Sequence, residues 1–96
     1  MSNPIVIVAT ITTTAEHRNT VEGALREAVH AARAEAGCEQ YELHRDTEVP
    51  DRFMMLERWR DEAALEAHAK GAAFSRVSSV LNSRASLEVV RLAKVD

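Results

Sequence analysis

The sequence is poor in cysteine, glycine and proline, and each shortage excludes a class of structure. The single cysteine, Cys38, excludes an internal disulfide and a Cys-x-x-Cys metal site, and it fits a reducing compartment. Three glycines leave no Gly-rich phosphate loop, and no histidine pair has the i, i+4 spacing of a metal site. We therefore expect one cytoplasmic domain over residues 1–96, with no metal.

A large net charge and long hydrophobic runs are also lacking. The formal net charge is −3 and the twelve Lys and Arg residues are scattered, which argues against a nucleic-acid partner. No apolar run approaches the roughly 18 residues of a membrane span, and the first residues do not resemble a signal peptide. Aromatic residues make up only 4% of the chain, so its few large side chains must fill space or bound a cavity.

Hydrophobic patterning predicts strands and helices in alternation. A β-branched run and later apolar segments predict strands, and helical spacing of apolar residues predicts helices. Asn19 with Glu22 predicts a capping box, Gly37 a helix C-terminal cap, and Asp61 a second N-cap. The predicted elements are a strand at Ile5–Thr14, a helix at 20–36, strands at Cys38–Asp46 and Arg52–Arg60, helical stretches at 61–71 and 72–83, and a strand at Ser86–Val95.

The order β-α-β-β-α-β predicts a ferredoxin-like α+β fold with an antiparallel sheet and both helices on one face. The other face should then be polar, but the third strand carries Met54 and Leu56 on one side and Phe53 and Met55 on the other. The first strand is apolar on both sides. Because large exposed apolar patches are unusual, we expect a homodimer that packs sheet against sheet about a twofold axis.

Glu57 and Trp59 share one face of the third strand with Phe53 and Met55. Trp59 is either a core aromatic or a pocket wall whose indole N–H donates to a ligand oxygen. Glu57 is either the ion-pair partner of an arginine across the dimer or on a neighbouring strand, with Arg45 and Arg91 as candidates, or a general base whose pKa is raised by burial. The pattern leaves both alternatives open.

His68 lies on the helix stripe that faces the sheet, together with Ala64 and Leu65. It is either a core histidine with its hydrogen bonds satisfied or a general base, because its ordinary pKa suits proton transfer near neutral pH. His30 falls outside the apolar stripe of its helix. His44 lies on the second strand, on the same side as Gln40 and Glu42, and its role is left open.

Two stretches, Arg33–Asp46 and Phe53–Phe74, resemble the antibiotic biosynthesis monooxygenase domain, which includes bacterial quinol monooxygenases. The shared features are Glu-x-Gly-Cys-x-x-Tyr, then Glu-x-Trp, a capping acid and Ala-Leu-x-x-His. The family's fold is a dimeric α/β barrel built from ferredoxin-like subunits. Many relatives have a second histidine where this chain has Ala73. The residues that match the family pattern are Gly37, Cys38, Tyr41, Glu57, Trp59 and His68.

The resemblance implies oxidation of an electron-rich aromatic, a quinol or anthrone, by O2 without a cofactor. It implies that His68 or Glu57 takes a proton, and that Trp59 and Tyr41 donate hydrogen bonds to substrate oxygens. The candidate catalytic residues are His68, Trp59 and Glu57, and the candidate substrate-binding residues are Tyr41, Phe74 and Met55. The alternatives are a non-catalytic dimer that binds a small molecule, and an isomerase or lyase that acts by proton transfer alone.

Overall fold

The computed structural model describes residues 3–96, so the first two residues of the predicted domain lie outside it. The described chain forms four strands and three helices in the predicted order. β1 and β4 end earlier than predicted, and the predicted helical stretches after Asp61 are two separate helices. The elements are β1 (Ile5–Thr12), α1 (Arg18–Arg33), β2 (Cys38–Arg45), β3 (Arg52–Trp59), α2 (Glu62–Ala69), α3 (Ala72–Leu81) and β4 (Ser86–Leu92).

The strands form one antiparallel sheet in the order β2-β3-β1-β4. Ile7 of β1 lies opposite both Glu57 of β3 and Arg91 of β4, and Glu57 lies opposite Tyr41 of β2. Because facing residues of adjacent strands share a side of the sheet, these four side chains form one row across it. This ferredoxin-like arrangement confirms the predicted α+β fold.

The helices cover the face of the sheet that carries Phe53, Met55 and Trp59. These side chains and Ile11 are almost fully buried, in a core shared by all three helices. Val21, Leu25 and Ala32 of α1 complete that core from the helix side. The strand parity that placed Phe53 with Trp59 is therefore confirmed.

Both predicted ends of α1 need correction. The helix begins at Arg18, with His17 as an N-cap that makes no side-chain hydrogen bond. A turn closed by the His17 amide and the Thr14 carbonyl, 3.1 Å apart, leads into the helix early and places Asn19 inside it. The predicted capping box is therefore wrong, and Glu22 instead accepts hydrogen bonds from Arg26 and Arg45.

The C-terminal end of α1 lies at Arg33, with Ala34 as its cap, so Gly37 is not the helix cap. Gly37 instead makes the turn into β2 with φ of +82°, a conformation that glycine adopts without strain. The predicted N-cap of the second helix is confirmed, because the Asp61 carboxylate accepts from the Ala64 amide at 2.9 Å.

The face of the sheet away from the helices carries an apolar strip across its middle, with polar residues such as Arg58 and Glu88 at its ends. Val8 of β1 lies between Leu56 of β3 and Val90 of β4, and Leu92 lies opposite Val6. Val90 and Leu92 remain 51% and 45% exposed. We call this surface of Val6, Val8, Met54, Leu56, Val90 and Leu92 the open face.

Within residues 3–96, none of the helices combines the length and the apolar character that crossing a membrane requires.

Candidate functional site

A cavity of about 540 Å³ lies between the sheet and the helices, a volume in the usual range for small-molecule sites. Its floor is formed by all four strands, and its roof by α2 and α3 with Leu25 of α1. Most of the lining is apolar, with contributions from Ile7, Ile11, Leu65, Val77 and Leu87. Five of the six predicted catalytic and binding residues line it: His68, Tyr41, Phe74, Met55 and Glu57.

His68 is the buried polar group of α2, with 6% of its surface exposed. Its ring lies over the indole of Trp59, with 4.5 Å between centroids and 30° between planes. Tyr41 and Phe74 approach the same ring edge-on at 5.6 and 5.5 Å. Three aromatic neighbours therefore fix the plane of the imidazole beside the cavity.

Glu35 is a site residue that the sequence analysis did not identify. Its carboxylate oxygen lies 2.8 Å from Nδ1 of His68, although the two residues are 33 positions apart in the chain. Glu35 lies just after α1, outside the apolar stripe, so no periodicity marks it. The only signal in the sequence is its place in the Glu-x-Gly-Cys-x-x-Tyr stretch.

Glu57 and Trp59 form a pair, and this corrects two expectations. The Trp59 indole N–H donates to Glu57 Oε1 at 3.0 Å, and Trp59 is fully buried behind His68, outside the cavity lining. Trp59 is therefore the core aromatic, and the prediction that it forms a wall of the pocket is wrong. The predicted ion pair of Glu57 with Arg45 or Arg91 of its own chain is also wrong, because Arg45 pairs with Glu22 and Arg91 with Glu62.

Burial raises the pKa of the Glu57 carboxyl above its ordinary value, and the Trp59 hydrogen bond and the charge of His68 only partly oppose this. Burial also raises the pKa of the Tyr41 phenol, and the nearby Glu57 and Glu35 carboxylates add to the effect. Tyr41 is thus a hydrogen-bond donor that keeps its proton at neutral pH. The neutral form of Glu57 is likewise favoured relative to an exposed glutamate.

Three polar atoms are free to meet a bound molecule. Every fully buried side-chain nitrogen or oxygen in residues 3–96 has a hydrogen-bond partner. Three polar atoms within that range have no hydrogen-bond partner: His68 Nε2, Glu57 Oε2 and the Tyr41 hydroxyl. The hydrogen bond of His68 is made by its Nδ1, and that of Glu57 by its Oε1. These three atoms therefore keep accessible surface, and their side chains all line the cavity.

The cavity mouth is charged. Arg91 of β4 donates to Glu62 at the start of α2, and both line the cavity together with Glu66. The side chains of the pair are 53% and 64% exposed, so water weakens their attraction. The interior is therefore apolar with one polar end, and the ionised groups lie at the rim.

Other reactive groups lie away from the cavity. Cys38 is half-buried at the start of β2, and burial raises the pKa of its thiol, which disfavours the nucleophilic thiolate. His30 is exposed on α1, outside the apolar stripe as expected, and His44 is exposed on β2. The described residues contain no cluster of three or more His, Cys, Asp or Glu side chains suited to a metal ion.

A comparison with protein families matches residues 4–79 to the family described as antibiotic biosynthesis monooxygenase. The Bacillus subtilis (strain 168) protein named "Putative monooxygenase YcnE" is 37% identical over 70 residues, covering 73% of this chain and 74% of that protein.

Solved structures of similar proteins cover nearly the whole chain. The crystal structure of PA3566 from Pseudomonas aeruginosa superposes with a TM-score of 0.93 at 39% identity, covering 100% of this chain and 98% of the other. A crystal structure of an antibiotic biosynthesis monooxygenase superposes with a TM-score of 0.90 at 29% identity, covering 96% and 99%. A conserved protein from Methanosarcina mazei Go1, at 23% identity and a TM-score of 0.91, shares the fold.

Proposed function

This chain belongs to the antibiotic biosynthesis monooxygenase family, and on that premise we propose that it oxidises a small electron-rich aromatic, a quinol or an anthrone, with O2. The proposal rests on the convergence of an imidazole, a carboxyl and a phenol at one end of a cavity that is otherwise apolar. In this proposal the aromatic ring of the substrate lies in the apolar part of the cavity, and its hydroxyl contacts the polar end.

The first step is proton removal. His68 Nε2 has no protein partner and takes the proton of the substrate hydroxyl, while the Tyr41 hydroxyl donates a hydrogen bond to the oxyanion that forms. Because the pKa of Tyr41 is raised, its phenol keeps its own proton and remains a hydrogen-bond donor. Glu57 Oε2 accepts a hydrogen bond from a second substrate hydroxyl, and Trp59 holds Glu57 in place.

The electrons for the reaction come from the substrate. The anion passes one electron to O2, and the resulting radical and superoxide combine into a carbon-bound peroxide anion, which takes the proton back from His68 to become a hydroperoxide. Loss of water then leaves a new carbonyl oxygen. One hydroquinone and one O2 thus give one hydroxyquinone and one water. The atoms and electrons therefore balance without an external reductant or a cofactor. The apolar lining of the cavity limits the contact of the anion with water.

We further propose that two copies pack through the open face and form a dimeric α/β barrel. The support is the apolar surface of Val8, Leu56, Val90 and Leu92, which no element among residues 3–96 covers. A twofold dimer makes this surface self-complementary. The cavity lies on the other side of the sheet, so dimerisation leaves the helix-covered side of the site intact.

The test is O2 uptake by chelator-treated protein with a panel of quinols and anthrones. We expect His68→Gln to lower kcat by about 10²–10⁴-fold, the usual contribution of a general base. His30→Gln is the matched control, because this exposed histidine lies outside the cavity lining, and it should retain full turnover.

Two outcomes would contradict the proposal. Equal rates for His68→Gln and the native protein would exclude His68 as the base. Turnover that continues under anaerobic conditions would identify a proton-transfer isomerase or lyase. A ligand that raises the melting temperature without any turnover would instead favour the binding protein.

A further inference from the structure

Glu35 lies in the connection between α1 and β2, and its carboxylate reaches the inner nitrogen of His68. The distance from Glu35 Oε1 to His68 Nδ1 is 2.8 Å, and the Glu35 side chain is 26% exposed whereas that of His68 is 6% exposed. An ionised carboxylate can only accept hydrogen bonds. With Glu35 ionised, Nδ1 is the donor of this bond, and the partly exposed Glu35 carboxylate keeps contact with water.

The same connection contacts α2 at two successive turns. A Cβ on Gly37 would lie 2.4 Å from the Cβ of Ala64, so the absence of a side chain at Gly37 lets α2 approach closely. His68 follows Ala64 by one helical turn and lies on the same face of α2. The close approach at Gly37 thus brings the imidazole within reach of Glu35.

The packing around His68 fixes the orientation of its ring, and one of its two nitrogens is free of protein partners among residues 3–96. Trp59 lies against its face, and Tyr41 and Phe74 contact it edge-on, so the packing fixes the ring plane. Nδ1 is bound by Glu35. Nε2 has no partner among residues 3–96, and the residue lines the cavity.

We infer that Glu35 is a positioning residue of this site: it holds His68 as the tautomer with the proton on Nδ1 and presents unprotonated Nε2 to the substrate. The inference rests on the proposed function for its catalytic consequence, because Nε2 is the atom proposed to take the substrate proton. It deepens that function by assigning a role to a residue that does not itself line the cavity. A carboxylate at Nδ1 also stabilises the imidazolium that forms once the proton has been transferred.

The tautomer is measured directly by long-range ¹H–¹⁵N NMR of the histidine side chains, with His68→Gln used to assign the signal. In the native protein near neutral pH we expect a protonated Nδ1 and an unprotonated Nε2. In Glu35→Ala we expect the two tautomers to mix, since the acceptor is gone. Glu35→Gln keeps an acceptor oxygen and should keep the tautomer. Glu39→Ala is the matched control, since this exposed glutamate lies nearby on β2.

Turnover supplies the second readout. Glu35→Ala should lower kcat by about tenfold or more, a part of the general-base contribution, with a smaller change in KM. The double variant Glu35→Ala/His68→Gln should be no slower than His68→Gln alone, because Glu35 acts through His68. Glu39→Ala should retain the native rate.

The two readouts separate this inference from the proposed function. A native His68 that is protonated on Nε2 or on both nitrogens would overturn the inference, and this spectrum requires no Glu35 variant to fold. A tautomer unchanged in a folded Glu35→Ala protein would overturn it as well. The expected tautomers without turnover of any quinol or anthrone would support the positioning role and reject the proposed reaction.

Discussion

Glu57 is a buried carboxyl next to a bulky aromatic, and its environment favours the neutral form. The Trp59 N–H is its hydrogen-bond donor within residues 3–96, at 3.0 Å, and no arginine lies within ion-pair distance among those residues. A single neutral donor does not replace the hydration that a carboxylate loses on burial, so the pKa of Glu57 is raised.

This raised pKa predicts a definite sign for the pH dependence of stability. Between the unfolded-state pKa, near 4.5, and the higher folded-state pKa, the folded protein binds more protons than the unfolded chain. The contribution of Glu57 to stability is therefore fully present below the unfolded-state value, and it is lost as the pH rises through the folded-state value. Glu57→Gln removes this dependence while its amide oxygen still accepts from Trp59.

We expect Glu57→Gln to be more stable than the native protein at neutral pH and to match it below about pH 4, where both side chains are neutral. Urea unfolding of both proteins across this range measures the difference. Glu39→Gln makes the same chemical change at an exposed position, and its difference from the native protein should not depend on pH in this way. A constant difference between Glu57→Gln and the native protein would show that the pKa of Glu57 is not raised.

At the scale of elements, the order of strands and helices could be predicted because it depends on local patterns. β3 alternates buried and less buried residues over its whole length, and parity alone placed Phe53, Met55 and Trp59 on one face. The Asp61 cap is equally local. The start of α1 was predicted too late, because Asn19 and Glu22 have capping-box spacing but the turn at Thr14 already begins the helix.

The site was predicted only in part, because its partners come from distant segments. His68, Tyr41 and Glu57 were identified from the family resemblance and from their polarity in apolar surroundings. The bond from Glu35 to His68 depends on how the α1–β2 connection meets α2, which no local pattern contains. The contact of the Trp59 N–H also could not be predicted, because strand parity gives the face of a side chain but not its hydrogen-bond partner.

The packing of α2 against the α1–β2 connection should be sensitive to substitution of Gly37. Gly37→Ala requires a left-handed φ at a residue with a Cβ, and that Cβ would lie 2.4 Å from Ala64. We expect it to lower the free energy of unfolding by about 2 kcal/mol or more. It should also weaken the contact between Glu35 and His68, which NMR of the histidine side chain detects.

Gly23 provides the matched control for this substitution. It lies within α1, and a Cβ there would meet no atom within 4 Å. Gly23→Ala should therefore raise the free energy of unfolding by roughly 0.5–1 kcal/mol, because alanine favours the helix. Thermal unfolding of both variants gives the comparison. A Gly37→Ala protein as stable as Gly23→Ala would show that α2 does not depend on the close approach.

At the scale of the whole molecule, the two sides of the sheet have different roles. The helix-covered side encloses the cavity and most of the buried aromatic residues. On the open face the side chains of the sheet are exposed, and the edge strand β4 exposes apolar residues on both of its sides. Leu87 and Val89 point towards the cavity side, whereas Val90 and Leu92 point outward. An exposed apolar edge strand is also a hazard for aggregation, which a partner subunit would prevent.

The proposed dimer predicts that one charge on the open face should separate the subunits. Leu56 lies in the central strand β3, opposite Val8, so Leu56→Lys would place an ammonium group in the middle of the apolar interface. Burying an unpaired charge costs several kcal/mol, so we expect the variant to be monomeric at concentrations where the native protein is dimeric. Light scattering after size-exclusion chromatography measures the mass.

Val95→Lys is the control, because Val95 is 99% exposed and lies beyond β4, and it should remain dimeric. A native protein that elutes with the mass of a single chain would exclude the dimer, and an unchanged mass for Leu56→Lys would place the interface elsewhere.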